Sequence, residues 1–130
     1  MRVLFVCHGN VGRSQMAEGF YNHYTGSEQA SSAGTDPTTP ARYDHPTKEI
    51  ISAMKEEGID VSKKKIKTIS PEILSGVDVA YVICDKTQCP DFLLYSDKAV
   101  FWDIEDPFQM DLEGTIEIRN QIKQKVLNLL

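Results

Sequence analysis

No stretch of this sequence is long and apolar enough to cross a membrane. The longest plain apolar run, Val3 to Cys7, is five residues, against the roughly 20 that a helical span needs. Polar His8 and Gly9 follow it directly, so it does not read as a secretory leader either. Positive charge is also in short supply. Lys and Arg number 14 against 19 Asp and Glu, for a net charge of -5, which argues against a nucleic-acid binder. The cysteines, Cys7, Cys84 and Cys89, are few and odd in number, not the framework of a small disulfide-stapled secreted domain. Together with His8, His23 and His45 they lack the ligand spacing of a zinc module. Repeats, linkers and low-complexity tracts are missing, and 130 residues suffice for one core and not for two. The expectation is one soluble domain over residues 1–130, placed in the cytoplasm, in which each thiol is core filler, ligand or reactive group.

What is present alternates between two patterns. Val3-Leu4-Phe5-Val6-Cys7 is an unbroken apolar run, the signature of a strand buried on both faces of a parallel sheet. After His8-Gly9-Asn10-Val11-Gly12, helical spacing sets in with Ala17, Phe20, Tyr21 and Tyr24 on one face, Glu18 on the other, and Gly26 as the stop. Gln29 to Ser32 is a weaker strand, and Asp36 to Asp44 reads as an irregular loop. A second helix with Ile50, Ile51 and Met54 is expected to be capped by Asp44, with Pro46 in its first turn and Gly58 at its end. A short third helix starts at Ser70-Pro71-Glu72, Val77 to Cys84 is a strong strand, and Asp85 to Gln88 is a turn leading to Cys89-Pro90. Ala99 to Trp102 is a further strand, Asp103 to Asp111 a loop, and Leu112 to Leu130 a helix with Ile118, Ile122, Val126 and Leu129 along one stripe. The order β-α-β-α-α-β-β-α implies an open α/β sheet with a ligand site at the carboxyl ends of its strands. The lysine run Lys63-Lys64-Lys65 with Lys67 reads as a solvated loop.

The chemistry concentrates in Cys7-His8-Gly9-Asn10-Val11-Gly12-Arg13-Ser14, which joins a strand end to a helix start. Backbone N–H groups converge on an anion at such a place, and Gly9 and Gly12 permit the necessary curvature. Arg13 adds a planar fork able to grip two oxygens of a tetrahedral oxyanion. The helix dipole, the N–H groups and the guanidinium all favour a thiolate at Cys7, which makes it the expected nucleophile. Ser14 is placed either to bond Cys7 or simply to begin the helix. His8 has no evident catalytic partner nearby in the chain and is expected to be solvated. A leaving group expelled from the anion needs a proton, and the loop Trp102 to Phe108 offers Asp103, Glu105 and Asp106 as acids.

The string from Val6 through Arg13-Ser14-Gln15-Met16-Ala17-Glu18-Gly19 resembles the phosphate-binding loop and first helix of the low-molecular-weight protein tyrosine phosphatase superfamily, which includes thioredoxin-coupled arsenate reductases. Ser32-Ala33-Gly34-Thr35, Gly58-Ile59-Asp60 and Asp106-Pro107 fall in the family's order. The resemblance implies a single-domain, three-layer α/β fold with a four-stranded parallel sheet flanked by helices. It also selects Asp106 as the general acid, because Asp-Pro is the shared motif. Phosphatases of the family usually follow that motif with two tyrosines, where this chain has Phe108-Gln109.

Cys84 and Cys89 resemble the redox pair of the reductases, although only four residues separate them here, and Gly12 stands where many relatives have cysteine. By that resemblance Cys7 attacks arsenate, Cys84 attacks Cys7, and Cys89 moves the disulfide to Cys84-Cys89 for thioredoxin to reduce. Read without the family, Cys84 is a buried strand residue and Cys89 a surface thiol. Two enzymatic expectations follow: an arsenate reductase using all three cysteines, or a phosphatase using Cys7, Arg13 and Asp106 on a phosphate ester. A non-catalytic phosphate-binding regulator is a more distant third. No tightly bound cofactor is expected, although Asn10, Glu18, Ser32 and Asp60 correspond to positions that hold a potassium ion in some arsenate reductases.

Overall fold

A computed structural model describes residues 1–130. Its centre is β1 (Val3–Cys7), buried along its whole length as its apolar run requires. On one side β1 pairs in parallel with β2 (Ala30–Gly34), on the other with β3 (Val79–Val82), and β3 pairs with β4 (Ala99–Phe101). The order β2-β1-β3-β4 makes one four-stranded, all-parallel sheet, so all strand carboxyl ends lie along one edge. The single-domain α/β architecture read from the sequence is the one observed.

The two faces of the sheet bury different cores. Val3, Phe5 and Cys7 of β1 pack with Met16, Phe20, Met54, Trp102, Ile118 and Ile122, beneath α1 (Arg13–Thr25), α3 (Lys48–Lys55) and α6 (Leu112–Leu127). Leu4 and Val6 point the other way, towards Ala80, Val82, Leu74 and Leu93, beneath α4 (Pro71–Ser75) and α5 (Asp91–Leu94). This alternation is the two-residue period of a strand with both faces covered.

Several local expectations need correction. Within the stretch read as loop, Thr39–Arg42 forms a one-turn helix, α2, with Pro40 near its start. α5 is a second four-residue helix between Cys89 and β4. Neither is long enough to display a helical period. α3 begins after Thr47 rather than at a cap by Asp44, whose carboxylate instead lies 3.5 Å from His45. β3 is shorter than Val77 to Cys84: Val77 closes α4 by donating to the Leu74 carbonyl, and the ladder's last bond is from Ile83 N to the Val6 carbonyl. β2 runs to Gly34, two residues beyond the expected Ser32, and Leu129 lies past the end of α6. Gly34 is forced by the site: a Cβ there would stand 2.8 Å from the His8 carbonyl oxygen, so only glycine lets β2 end against the loop after β1.

Candidate active site

Cys7 is the last residue of β1, and its buried sulfur sits at the floor of the loop that turns into α1. The loop curls because Asn10 adopts φ +57, a left-handed conformation that asparagine tolerates better than most residues. That turn aims the Asn10 N–H at Cys7 Sγ, 3.2 Å away, while Ser14 Oγ lies 2.9 Å from the same sulfur. The side chain of Asn10 fixes the direction of the second bond. Its Oδ1 accepts from Lys67 N at 2.9 Å and from Gln15 Nε2 at 3.2 Å, so its Nδ2 must donate, to Ser14 Oγ at 2.7 Å and Ser32 Oγ at 3.0 Å. With its oxygen already accepting, Ser14 is free to turn its own hydroxyl hydrogen onto Cys7. Ser14 thus serves the sulfur and does not cap the helix. The backbone N–H groups of Gly9, Val11 and Gly12 make no hydrogen bond within the protein and line the cleft above.

Arg13 is almost fully buried, and its Nη1 donates to the carbonyls of Ile83 at 3.0 Å and Ile104 at 2.8 Å. Those carbonyls follow β3 and β4, so the guanidinium is held by the strand ends that flank the nucleophile. Its Nη2 lies 3.6 Å from Asp106 Oδ2, and Asp106 Oδ1 accepts from Phe108 N at 3.0 Å. Of the three acids in that loop, Asp106 alone lines the cleft. The cleft, of about 550 Å³, also carries Tyr43 and Phe108, whose rings meet edge to face at 6.4 Å. The aromatic that does not follow Phe108 in sequence is thus supplied by the connection between α2 and α3. No short motif around Tyr43 signals this.

His8 is not the lone solvated histidine expected. Its Nδ1 is 3.1 Å from Thr35 Oγ1 and its Nε2 3.7 Å from Asp36 Oδ2, while Arg42 Nη2 bonds the same carboxylate oxygen at 3.0 Å. The Thr38 hydroxyl and N–H, then His8 and Arg42, hold the Asp36 carboxyl below its usual range. This cluster forms the polar wall of the cleft.

Cys84 and Cys89 do not line the cleft. Cys84 lies beyond the end of β3 and faces the second core, on the opposite side of the sheet from Cys7, although both stand at its carboxyl edge. Its sulfur is 4.0 Å from that of Cys89, and Cys89 Sγ is 3.5 Å from the Asp85 carbonyl oxygen. Burial above all, then the nearby sulfurs of Cys89 and Cys7, pushes the Cys84 thiol up to about 12. Burial also raises Cys89, but there the contact with Cys84 works the other way and favours the thiolate.

Behind the loop lies a buried polar cluster. Glu18, expected on the exposed face of α1, is buried there: Ser32 donates to its Oε1 at 2.9 Å and Lys64 Nζ lies 3.0 Å from its Oε2. Lys64 and Lys67 therefore do not belong to a simply solvated lysine run. Lys67 Nζ donates to the Lys65 carbonyl at 3.0 Å, and burial lowers its ammonium's proton affinity. Of the four potassium candidates, Asn10, Ser32 and Glu18 converge here. Asp60 does not, because its carboxylate instead caps Ser62 N at 2.8 Å. The set does not fit a potassium ion, since the Asn10 oxygen already accepts two hydrogen bonds, the Ser32 oxygen is spanned by Asn10 and Glu18, and an ammonium faces Glu18. No helix is long and apolar enough to cross a membrane.

Comparison with known proteins places this geometry among relatives. The sequence profile of the low molecular weight phosphotyrosine protein phosphatases matches residues 2–130. An arsenate reductase of Halalkalibacterium halodurans is 35% identical over 127 residues, covering 95% of this chain and 85% of that protein. A glutaredoxin arsenate reductase of Synechocystis is 33% identical over 131 residues, covering 99% and 95%. A low molecular weight protein tyrosine phosphatase from T. tengcongensis superposes with a TM-score of 0.81 at 31% identity, covering 99% and 97%.

Proposed function

The chain belongs to the low molecular weight phosphotyrosine protein phosphatase family, and from that premise we propose that it is an arsenate reductase whose nucleophile is Cys7 and whose electrons come from Cys84 and Cys89. The observation that carries this reading is the pair of sulfurs 4.0 Å apart at the end of the strand next to β1. Closing that gap to a disulfide takes a movement of about 2 Å.

In this reading the N–H groups of the loop and the Arg13 fork hold arsenate over Cys7. The thiolate attacks arsenic(V), and an arsenate hydroxyl leaves as water with a proton from Asp106. Cys84 then attacks the Cys7 sulfur. The sulfur–arsenic bond breaks with its electron pair passing to arsenic, which departs as arsenite, and a Cys7–Cys84 disulfide remains. Cys89 attacks the Cys84 sulfur, Cys7 leaves as thiolate, and an external dithiol supplies two electrons and two protons to the Cys84–Cys89 bond. That dithiol is of the thioredoxin or glutaredoxin kind, the latter supported by the name of the Synechocystis relative. Cys84 is protonated at rest, and bonding Cys7 to arsenic removes one of the charges that keep it so. It must also leave the second core to reach Cys7, so this step requires the segment after β3 to move.

A second reading is favoured by the Tyr43–Phe108 pair at the cleft, which suits the aryl group of a phosphate monoester. Cys7 would form a cysteinyl phosphate, Asp106 would protonate the leaving oxygen, and water would complete hydrolysis. One experiment separates the two: map disulfides by peptide mass spectrometry after giving the reduced protein arsenate without oxygen, with phosphate as control. A Cys7–Cys84 or Cys84–Cys89 bond formed with arsenate alone supports the reductase. Three free thiols, together with turnover of aryl phosphate by Cys84→Ser, support the phosphatase.

A further inference from the structure

Three carboxylates line the cleft, those of Asp36, Glu49 and Asp106. Two of them are answered by a cation. Arg42 Nη2 lies 3.0 Å and His8 Nε2 3.7 Å from Asp36 Oδ2, and Arg13 Nη2 lies 3.6 Å from Asp106 Oδ2. Glu49 alone makes no ion pair with any Lys, Arg or His. It belongs to the first turn of α3, whose dipole favours a negative charge, so the fold carries this carboxylate easily without neutralising it. The same end of α3 abuts the anion loop: Thr47 N donates to the Val11 carbonyl at 3.3 Å, and a Cβ on Gly12 would stand 3.5 Å from Ile50. An inorganic anion brings Glu49 only like charge. A substrate with an organic part can bring the opposite one, and the Tyr43–Phe108 pair in the same cleft suits an organic part that begins with an aryl ring. Arg42 and His8 are committed to Asp36, so beyond the Arg13 grip the cleft keeps no free cation for an acidic substituent.

We propose that Glu49 is a specificity-determining residue, selecting aryl phosphates whose organic part carries an ammonium or guanidinium beyond the ring. Such a cation is offered by a small aminoalkyl aryl phosphate, or by a Lys or Arg beside a phosphotyrosine in a peptide. The proposal rests on the phosphatase reading above and adds the charge of the substrate to it. Selection works in both directions, because an acidic substituent meets an unpaired carboxylate and a basic one completes an ion pair.

The test is calorimetric binding of a matched series to Cys7→Ser, which prevents turnover. The series comprises the phosphates of tyramine, p-ethylphenol and p-hydroxyphenylpropionate, whose side chains are cationic, neutral and anionic, with phosphotyrosyl peptides carrying a neighbouring Lys or Glu. The tyramine phosphate should bind roughly three- to fivefold more tightly than the neutral compound, the worth of a partly exposed ion pair. The anionic compound should bind most weakly, and the spread should shrink as salt is raised. Adding Glu49→Gln should bring the three affinities together. Glu49→Lys should reverse their order, which no loss of fold can imitate. A Lys peptide that gains over its Glu counterpart supports a peptide source of the cation, and a gain confined to the tyramine phosphate supports a small-molecule source. An order that persists in Glu49→Gln, or binding indifferent to charge, overturns the proposal. Aryl phosphates that fail to bind where inorganic phosphate binds overturn the phosphatase reading itself, and the role of Glu49 with it, so the two failures are distinguishable.

Discussion

The loop from Cys7 to Ser14 and the segment from Cys84 to Cys89 stand at the same edge of one sheet, yet they are built in opposite ways. In the first, nearly every polar side chain has its partner. Asn10, Ser14 and Arg13 are buried and bonded, and the groups left open are those that face the cleft. In the second, a single 3₁₀ turn at Lys86–Gln88 is the only regular structure, and the two thiols contact little that is polar except one another and the Asp85 carbonyl. Binding and attack need atoms that stay in place, whereas passing a disulfide from one sulfur to the next needs a segment that can move. If Cys84 and Cys89 relay electrons to Cys7 as proposed, the fixed chemistry belongs to the loop and the moving step to the segment after β3.

This contrast can be broken most decisively at Cys7. Cys7→Ser should remove both arsenate reduction and aryl phosphate hydrolysis by about 10⁴-fold or more; residual turnover in either assay would show a second nucleophile. Next comes Arg13→Lys, which keeps the charge but cannot reach the Ile83 and Ile104 carbonyls and grip an anion together. Turnover should fall about 10²- to 10³-fold, with a lower melting temperature in the same variant, and an unchanged melting temperature would show that the two carbonyl bonds do not hold the strand ends. Asp106→Asn should cost about 10²-fold on phosphate esters with poor leaving groups and much less on those whose leaving group needs no proton. Equal losses on both would move the acid role elsewhere.

A smaller effect sharpens the mobile side. Burial raises the Cys84 thiol from 9.0 to about 12, so the folded state holds a proton there that the unfolded state releases first. The stability this provides is complete below 9.0 and is lost as the pH rises towards 12. Denaturant unfolding across that interval should therefore show a decline that is weaker in Cys84→Ser. The smallest effect belongs to Phe108→Ala, which should raise KM for aryl phosphates about three- to tenfold and leave arsenate untouched. Equal changes for both would remove the ring from substrate recognition.

Sequence reading was strongest where one strand and one loop carry everything. β1, the glycine-bearing turn and the start of α1 could be placed because an apolar run, a breaker and a helical period follow each other without interruption. Glu18 reads as exposed because helical period reports which residues are polar, not which polar residues have buried partners; Ser32 and Lys64 are distant in the chain. Tyr43 carries no sequence signal for the same reason, since it meets Phe108 only through the fold. α2 and α5 are single turns, too short for any period to show. The placement of Cys84 depended on where β3 ends, and one residue along a strand is the difference between the two cores.

Arg13 holds two strand ends together and, on the proposed function, would also grip the anion. Because the same guanidinium that would receive the anion also ties the chain after β3 to the chain after β4, a descendant exploring a new substrate by altering this position would lose fold integrity together with affinity. Compensating mutations elsewhere would have to come first. Diversification on this scaffold is thereby directed away from the anion grip and towards the connections that carry Asp36, Tyr43, Cys89 and Phe108.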